Sequence, residues 1–70
     1  MKDYKKLFSE NLKELIGEES ICSFAKKVDI PQPTISRYLA CKREITLTNL
    51  CKIADYCEED IDILLGRKDY

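Results

Sequence analysis

Apolar residues recur along this chain at helical spacing, in short blocks that turn-forming residues separate. The first block predicts a helix from about Tyr4 to Ile16, which Gly17 ends because glycine readily adopts the backbone conformation of a helix stop. The second block predicts a helix from about Ile21 to Val28, with Ser20 as its N-terminal cap. The residues of these two helices that we expect to face a core are Phe8, Leu12, Leu15, Ile16, Phe24, Ala25 and Val28.

A turn follows the second helix and is set by two prolines. The segment from Asp29 to Pro33 cannot continue a helix, because proline has no amide to donate and pushes the preceding residue out of the helical region. A third helix is therefore predicted over about Gln32 to Leu39, with Ile35 and Tyr38 facing the core. Ile30, an apolar residue inside the turn, is expected to fix the turn to that core.

Two further helices complete the pattern, which is therefore all-α. Thr46 is the expected cap of a fourth helix, from Leu47 to about Tyr56 or Cys57. Asp60 is the expected cap of a short fifth helix from Ile61 to Leu65, and Gly66 is its stop. The expected buried stripe of the fourth helix consists of Leu47, Leu50, Cys51, Ala54 and Cys57.

The second and third helices, joined by a tight turn, form a helix-turn-helix. Two helices this short cannot bury their own apolar faces, so the other helices must supply a scaffold. In DNA-binding proteins the second helix of such a pair lies in the major groove, but the same hairpin is common in proteins that bind no DNA. Spacing alone leaves both interpretations open.

A particular order of residues runs from the second predicted helix to the fifth. It comprises Phe24-Ala25, Ile30, Ile35-Ser36, Lys42-Arg43, Leu50, Ile53-Ala54-Asp55, Ile61 and Leu64-Leu65-Gly66. This order resembles the pattern of the phage-repressor and Cro-type (XRE-like) helix-turn-helix family, without gaps from about Leu7 to Gly66. The resemblance implies a single five-helix, lambda-repressor-like domain over residues 1–70, with its core at about 4–66 and its helix-turn-helix at 21–39. It also implies double-stranded DNA as the partner.

In this family the third helix reads base edges with its outward face. The matching positions here are Gln32, Pro33, Ser36 and Arg37. Gln32 has amide groups that can pair with an adenine, and Arg37 can pair with the two acceptors of a guanine. Ser36 can donate or accept a hydrogen bond, whereas Pro33 offers only apolar contact, for example to a thymine methyl group. The competing interpretation is an ordinary exposed helix face.

Other positions match the family's contacts to the DNA backbone. They are Ile21, Thr34, Lys42, Arg43 and Asn49. Lys42 and Arg43 would fix the register on the phosphates without carrying sequence information. The family often has glutamine where this chain has Ile21, so only the backbone amides at that helix start are expected to meet a phosphate. For Asn49 the alternative is an exposed polar residue without a DNA contact.

The chain departs from the family at several positions. Asp29, Cys41 and Glu58 stand where family members usually have glycine. A residue other than glycine in the left-handed conformation is disfavoured by roughly 1 kcal/mol, and aspartate by less. Many members also pair an arginine of the first helix with a glutamate at the end of the third. Glu14 and Leu39 occupy those positions here, so that ion pair is absent.

Charge is unevenly distributed along the chain. The net charge of −1 by itself argues against binding to phosphates. Residues 20–43, however, contain five cations and one anion, whereas residues 44–66 contain six anions and one cation. The basic part coincides with the helix-turn-helix, so the acidic part is expected to face away from DNA. Clusters that are only solvated surface are the alternative.

Composition argues against several other classes of protein. An apolar fraction of 44% with 36% charged residues fits a folded domain rather than a disordered one. No apolar run approaches the ~20 residues needed to cross a bilayer, and the first residues lack the apolar block of a signal peptide. We therefore expect a cytoplasmic protein without membrane contact.

The cysteines do not suggest a site. Cys22, Cys41, Cys51 and Cys57 form no Cys-x-x-Cys pair, and the chain has no histidine, so neither a metal site nor a catalytic site is expected. Cys51 and Cys57 are expected to be buried, Cys22 to be partly exposed and Cys41 to lie in a loop. No cofactor or small-molecule ligand is expected.

These features predict a sequence-specific DNA-binding transcriptional regulator, and the resemblance implies a repressor. One domain covers only about four or five base pairs, so we expect a homodimer on half-sites ~34 Å apart. The C-terminal residues expected to form the dimer contact are Ile61, Leu64, Leu65 and Tyr70. The alternative is a protein-interaction module, such as an antitoxin, an anti-repressor or an accessory subunit, that keeps the fold and binds a partner with its acidic half.

Overall fold

Helices form all the regular structure in the computed structural model, which describes residues 3–68. In chain order they are α1 (Tyr4–Ile16), α2 (Ile21–Val28), α3 (Gln32–Leu39), α4 (Leu47–Cys57) and α5 (Ile61–Leu64). The predicted all-α class and the helix-turn-helix of α2 and α3 are confirmed. α5 is one residue shorter than predicted, because Leu65 is its C-cap rather than its last residue. Between residues 3 and 68 no helix is long and apolar enough to cross a bilayer.

Side chains cap the N-termini of four helices. The predicted caps Ser20, Thr46 and Asp60 each accept a hydrogen bond from a first-turn amide, over 3.0, 3.2 and 2.8 Å. Asp3 caps α1 in the same way over 3.2 Å, which was not predicted. Each cap satisfies an amide that has no acceptor inside its helix. The amide of Asp62, with help from the Lys68 ammonium, also lowers the pKa of the Asp60 carboxyl.

Three helices end on residues in the left-handed conformation that are not glycine. Asp29 and Glu58, with φ of 59° and 53°, are the C-caps of α2 and α4, and Cys41, with φ of 59°, follows Ala40, the C-cap of α3. At each of these ends two amides beyond the helix donate back to carbonyls of its last turn, which is the Schellman motif. These turns are thus formed without glycine, and a left-handed residue with a side chain is disfavoured by roughly 1 kcal/mol.

One core joins the five helices. Its buried residues are Phe8, Leu12, Ile16, Phe24, Ala25, Val28, Ile30, Ile35, Tyr38, Leu50, Ile53, Ala54 and Leu64. Ile30 is 3% exposed, which confirms that it fixes the turn between α2 and α3. Ala25 is 4% exposed where α2 packs on α3, and its small side chain lets the two helices approach closely. Leu15, predicted to face inward, is partly buried against this core.

The buried face of α4 differs from the prediction. Leu47 and Cys51 were expected in the core, yet Leu47 is 82% exposed and Cys51 is exposed, whereas Ile53 is completely buried. Apolar residues lie on both sides of the predicted stripe, so spacing alone does not set the rotation of α4. α4 packs against α2 and α5 with Ile53 on its buried side. Cys57 is partly buried, and this burial raises the pKa of its thiol.

Two polar side chains of α1 hold the carboxyl ends of other helices. The buried hydroxyl of Ser9 donates to the carbonyl of Leu39, the last residue of α3, over 2.8 Å. The Nδ2 of Asn11 donates to the carbonyls of Ile63 and Leu64 over 3.1 and 3.0 Å. The end of α3 is therefore linked to α1 by a hydrogen bond from Ser9 to the backbone, and not through Glu14.

Tyr38 connects α3 to both α1 and α4. Its side chain is 1% exposed, and its ring meets that of Phe8 edge-on, with 6.2 Å between the ring centroids. Its hydroxyl accepts a hydrogen bond of 2.9 Å from the Nδ2 of Asn49. Because the only polar atom of this side chain has a partner, the ring can be buried without an unsatisfied group. The first turn of α4 is thereby fixed relative to α3.

Substitution of Glu58 by glycine should stabilise the domain. Glycine removes the left-handed strain at the end of α4, but it also adds conformational entropy to the unfolded chain. The first effect is the larger, so Glu58→Gly should raise the free energy of unfolding by roughly 0.5 kcal/mol or more. Glu10→Gly, at an exposed position within α1, is the matched control and should lower it by roughly 0.5 kcal/mol. Urea unfolding followed by circular dichroism measures both. A loss of stability in both variants would contradict the strain at Glu58.

Tyr38 and Asn49 should be energetically coupled. A double-mutant cycle of Tyr38→Phe and Asn49→Ala should give a coupling of about 0.5–1.5 kcal/mol in the free energy of unfolding, because either change removes the same hydrogen bond. Chemical denaturation of the four proteins measures the cycle. The same cycle with Thr48→Ala in place of Asn49→Ala is the control and should show near-additive changes. Additivity in both cycles would show that the bond does not contribute.

Candidate nucleic-acid interface

The outward face of α3 is formed as predicted. The buried side chains of Ile35 and Tyr38, 0% and 1% exposed, set the rotation of the helix. At helical spacing the remaining positions project from the other side, with Thr34 half-buried at the flank. The residues exposed on this face are Gln32, Pro33, Ser36 and Arg37.

Proline fixes the start of α3. Pro31 occupies the N-cap position, and Pro33 lies in the first turn, where the fixed φ of proline suits a helix. Gln32 stands between them at the edge of a shallow cleft between α2 and α3, with Cys22 and Lys26 on the α2 side. Lys26 was not assigned to a site from the sequence, and its charge within the basic segment was the only signal that it carried.

In the first turn of α2 the groups that can bind an anion are backbone amides rather than a side chain. The side chain of Ile21 packs against the core and is half-buried. Ser20 caps the amide of Ser23, and the preceding amides of the turn have no acceptor within a helix. Such amides, at the positive end of the helix dipole, suit an anion. This arrangement agrees with the expectation that only backbone groups are available at Ile21.

The loop after α3 places two cations next to its last turn. The amide of Lys42 donates to the carbonyl of Arg37 over 2.9 Å, so the loop folds back on the end of α3. The side chains of Lys42 and Arg43 are exposed. Neither forms an ion pair with any residue from 3 to 68. Lys42 therefore lies next to Arg37 in the fold, whereas Arg43 lies with Glu44 at a pocket formed with Tyr4 and Phe8 of α1.

Ion pairs alter the charge of the helix-turn-helix. Lys27 pairs with Glu19, which is also bonded to Ser23, and these bonds lower the pKa of the Glu19 carboxyl and raise that of the Lys27 ammonium. Asp29, the one anion of residues 20–43, lies 3.6 Å from the Lys52 ammonium. The cations of this segment without an ion pair to any described residue are Lys26, Arg37, Lys42 and Arg43.

Asn49 has a partner within the protein. Its side-chain Nδ2 donates to the Tyr38 hydroxyl, and the residue is half-buried rather than exposed. The alternative prediction of an exposed polar residue is therefore wrong. The hydrogen bond gives Asn49 a structural role at the junction of α3 and α4.

The predicted dimer residues differ in exposure. Leu64 is 1% exposed and belongs to the core, so it cannot contribute side-chain area to a dimer contact. Leu65 is half-buried, Ile61 is 36% exposed, and Tyr70 lies outside the described residues.

The cysteines are free thiols in this structure. Cys22 and Cys51 are exposed, whereas Cys41 and Cys57 are half-buried. In the part of the chain that the structure describes, no group of three or more histidine, cysteine, aspartate and glutamate side chains could hold a metal ion.

Comparison with known proteins agrees with this geometry. The family model described as "Helix-turn-helix" matches residues 23–64, which is more than half of the chain and includes most of α2 and all of α3 and α4. No curated protein and no solved structure matches the chain significantly. The chain therefore belongs to the XRE-type helix-turn-helix family, a family of DNA-binding regulatory domains.

Proposed function

We propose that this protein is a sequence-specific transcriptional repressor that inserts α3 into the major groove of DNA. The observation that carries the proposal is the exposed face of α3, on a helix whose rotation is fixed by buried residues. A rigid helix loses little conformational freedom on binding, so its side chains can discriminate between base edges. The repressor role rests on the resemblance to phage repressors.

Base reading is assigned to the exposed side chains of α3. Arg37 has the planar, two-donor geometry that matches guanine, and Gln32 has the donor and acceptor that match adenine. Ser36 lies between them and adapts to either partner. Pro33 contributes apolar surface, which a thymine methyl group can meet.

Phosphate binding is assigned to groups on both sides of α3. Lys42 flanks its carboxyl end, and Arg43 is the next residue of the same loop. Lys26 lies across the cleft from the start of α3, and the amides of the α2 first turn lie at a positive helix end. Contacts on both sides of the recognition helix fix its register in the groove. Thr34, at the flank of α3, is assigned to the same backbone, and Asn49 acts indirectly through Tyr38.

Two copies are needed for a useful recognition length. A single α3 reads about four or five base pairs, whereas a two-fold pair on half-sites one helical turn apart reads about twice that number. We therefore propose that the protein binds DNA as a homodimer.

A protein-interaction module is the second candidate. The observation that favours it is the acidic segment 44–66, together with a net charge of −1. Two of these acids are partly neutralised, since Asp60 pairs with Lys68 and Asp62 with Arg67 at 3.3 and 3.6 Å. The acidic surface is therefore weaker than the sequence count suggests, and we favour DNA binding.

Selection of bound sequences from a random duplex pool tests the proposed function. We expect one motif to be enriched, and its affinity to fall with salt at a slope of about −0.9 per phosphate contacted, hence about −2.7 per copy if Lys26, Lys42 and Arg43 each meet one phosphate. Titrations of the enriched duplex and of a scrambled duplex at several salt concentrations measure this slope. No binding of any duplex at low salt would overturn the proposal and favour the interaction module.

Arg37 and Lys42 should affect binding in different ways. Arg37→Ala should weaken binding to the enriched duplex by ~1–3 kcal/mol and relax one base preference, because a base contact is lost. Lys42→Ala is the matched control on the same side of α3. It should weaken the enriched and scrambled duplexes alike and reduce the salt slope by about one. Equal losses on both duplexes for Arg37→Ala would show that Arg37 does not read bases.

A further inference from the structure

The left-handed turn after α2 brings a negative charge to the candidate interface. Asp29 is the C-cap of α2, with φ of 59° and ψ of 49°. Aspartate tolerates this conformation better than most residues with a side chain, so it suits the geometry of the turn. Its side chain, however, is 95% exposed, and the residue lines the cleft between α2 and α3 together with Lys26 and Gln32. The turn thus places an anion beside two residues that the proposed function assigns to DNA.

An unpaired carboxylate at this cleft would oppose phosphate binding. Asp29 follows Lys26 by three residues, and the charges of these two side chains cancel. A carboxylate and a phosphate a few ångströms apart at a protein surface repel each other strongly enough to change an affinity several-fold. The cleft therefore needs a further cation if Lys26 is to attract a phosphate.

Lys52 of α4 supplies the compensating charge. Its ammonium donates to the backbone carbonyl of Asp29 over 3.0 Å and lies 3.6 Å from the carboxylate of the same residue. Among residues 3–68, no other lysine or arginine forms an ion pair with this carboxylate. Lys26, Asp29 and Lys52 together carry one positive charge, so the pair restores the attraction that Asp29 alone would remove.

The packing of α4 on α2 brings Lys52 to this turn. Leu50, Ile53 and Ala54 are buried, and they leave Lys52 half-buried at the edge of the contact between the two helices. Exposed ion pairs are usually weak, because two long side chains must be ordered to form them. Here the stem of the lysine is partly covered and its ammonium meets two oxygens of one residue, so less freedom is lost.

We propose that Lys52 is a positioning residue for DNA binding that acts through Asp29. It neutralises the carboxylate and holds it on the α4 side of the turn, and in this role it makes no phosphate contact of its own. This inference rests on the proposed function. It also explains how an aspartate can stand at a turn of the interface where members of the family usually have an uncharged glycine.

DNA binding by four proteins tests the pair. They are the wild-type chain, Lys52→Met, Asp29→Asn and the double variant. Methionine keeps an unbranched apolar stem, and asparagine keeps the left-handed turn, so each substitution mainly removes charge. Anisotropy titrations at about 50 mM salt use the enriched and scrambled duplexes described above.

The loss caused by Lys52→Met should be recovered when Asp29 is neutralised as well. Lys52→Met should bind both duplexes roughly fivefold more weakly than the wild type, because an unpaired anion now faces the phosphates. The double variant should return to within about twofold of the wild type, since no unpaired anion is left. Asp29→Asn should bind at least as tightly as the wild type. The loss in Lys52→Met should shrink as salt is raised, because salt screens the repulsion.

Two further variants are controls. Lys52→Arg keeps the positive charge beside Asp29 and should retain the affinity of the wild type. Lys68→Met makes the same change in net charge and breaks a similar exposed pair, Lys68 with Asp60 at 3.3 Å. Because α5 packs mainly against α1 and α4, this pair lies away from the helix-turn-helix, and Lys68→Met should change the affinity by less than about twofold.

Several results would overturn the inference. Unchanged affinity in Lys52→Met would show that the pair has no effect on binding. A double variant as weak as Lys52→Met would show that Lys52 acts by a phosphate contact or through the carbonyl bond, and not through the charge of Asp29. A loss on the enriched duplex alone would show that Lys52 acts on the orientation of α3 instead.

Failure of the proposed function gives a different result. A wild-type chain that binds no duplex overturns that function and this inference with it, whereas the results above overturn the inference while the wild type still binds. Circular dichroism and urea unfolding establish that each variant is folded. Lys52→Gln, which also removes the charge, repeats the comparison with a second side chain.

Discussion

The burial of Tyr38 is the constraint on which the functional geometry depends. An isolated helix of eight residues is not stable, so the orientation of α3 must come from its contacts. The Tyr38 ring meets Phe8, its hydroxyl accepts from Asn49, and Ser9 holds the carbonyl at the end of the same helix. Because these contacts lie on different sides of α3, they fix the rotation of the helix about its own axis. The outward direction of Arg37 is a consequence of that rotation.

Backbone hydrogen bonds at the helix ends explain how the domain tolerates strained turns. Asp29, Cys41 and Glu58 adopt left-handed conformations that glycine would adopt without strain. Each turn nevertheless keeps the paired amide-to-carbonyl bonds of the Schellman motif, so the strain is confined to one residue and the path of the chain is unchanged. The turn after α2 also buries Ile30, which is what orients α3 relative to α2. Geometry is thus preserved at the expense of stability in a domain with a small core.

The features that could be predicted from the sequence are those that neighbouring residues determine, above all the helix boundaries. Caps such as Ser20 and the prolines around Gln32 act on their own neighbours, so the helix boundaries follow from them directly. The rotation of α4 does not, because Leu47 and Ile53 are both apolar and only contacts with other helices distinguish them. The hydrogen bonds from Ser9 and Asn49 join residues that are distant in the chain, so no periodic pattern in the sequence predicts them. The exposed face of α3 was predictable from its spacing, but its assignment to bases needed the family pattern.

Net charge is a poor guide to this interface, since phosphate groups respond to the local field rather than to the sum over the chain. Asp29 is close to Lys52, and Glu19 pairs with Lys27, so two of the anions at the helix-turn-helix have a cation beside them. Arg37 has no ion pair with a described residue. Six of the thirteen acidic residues lie in the last third of the sequence, against three cations there. Under the proposed function, the local excess of positive charge at residues 20–43 draws the α3 side of the domain toward a polyanion during approach. A protein with a charge of −1 can therefore be attracted in one orientation and repelled in the opposite one, which favours the productive encounter.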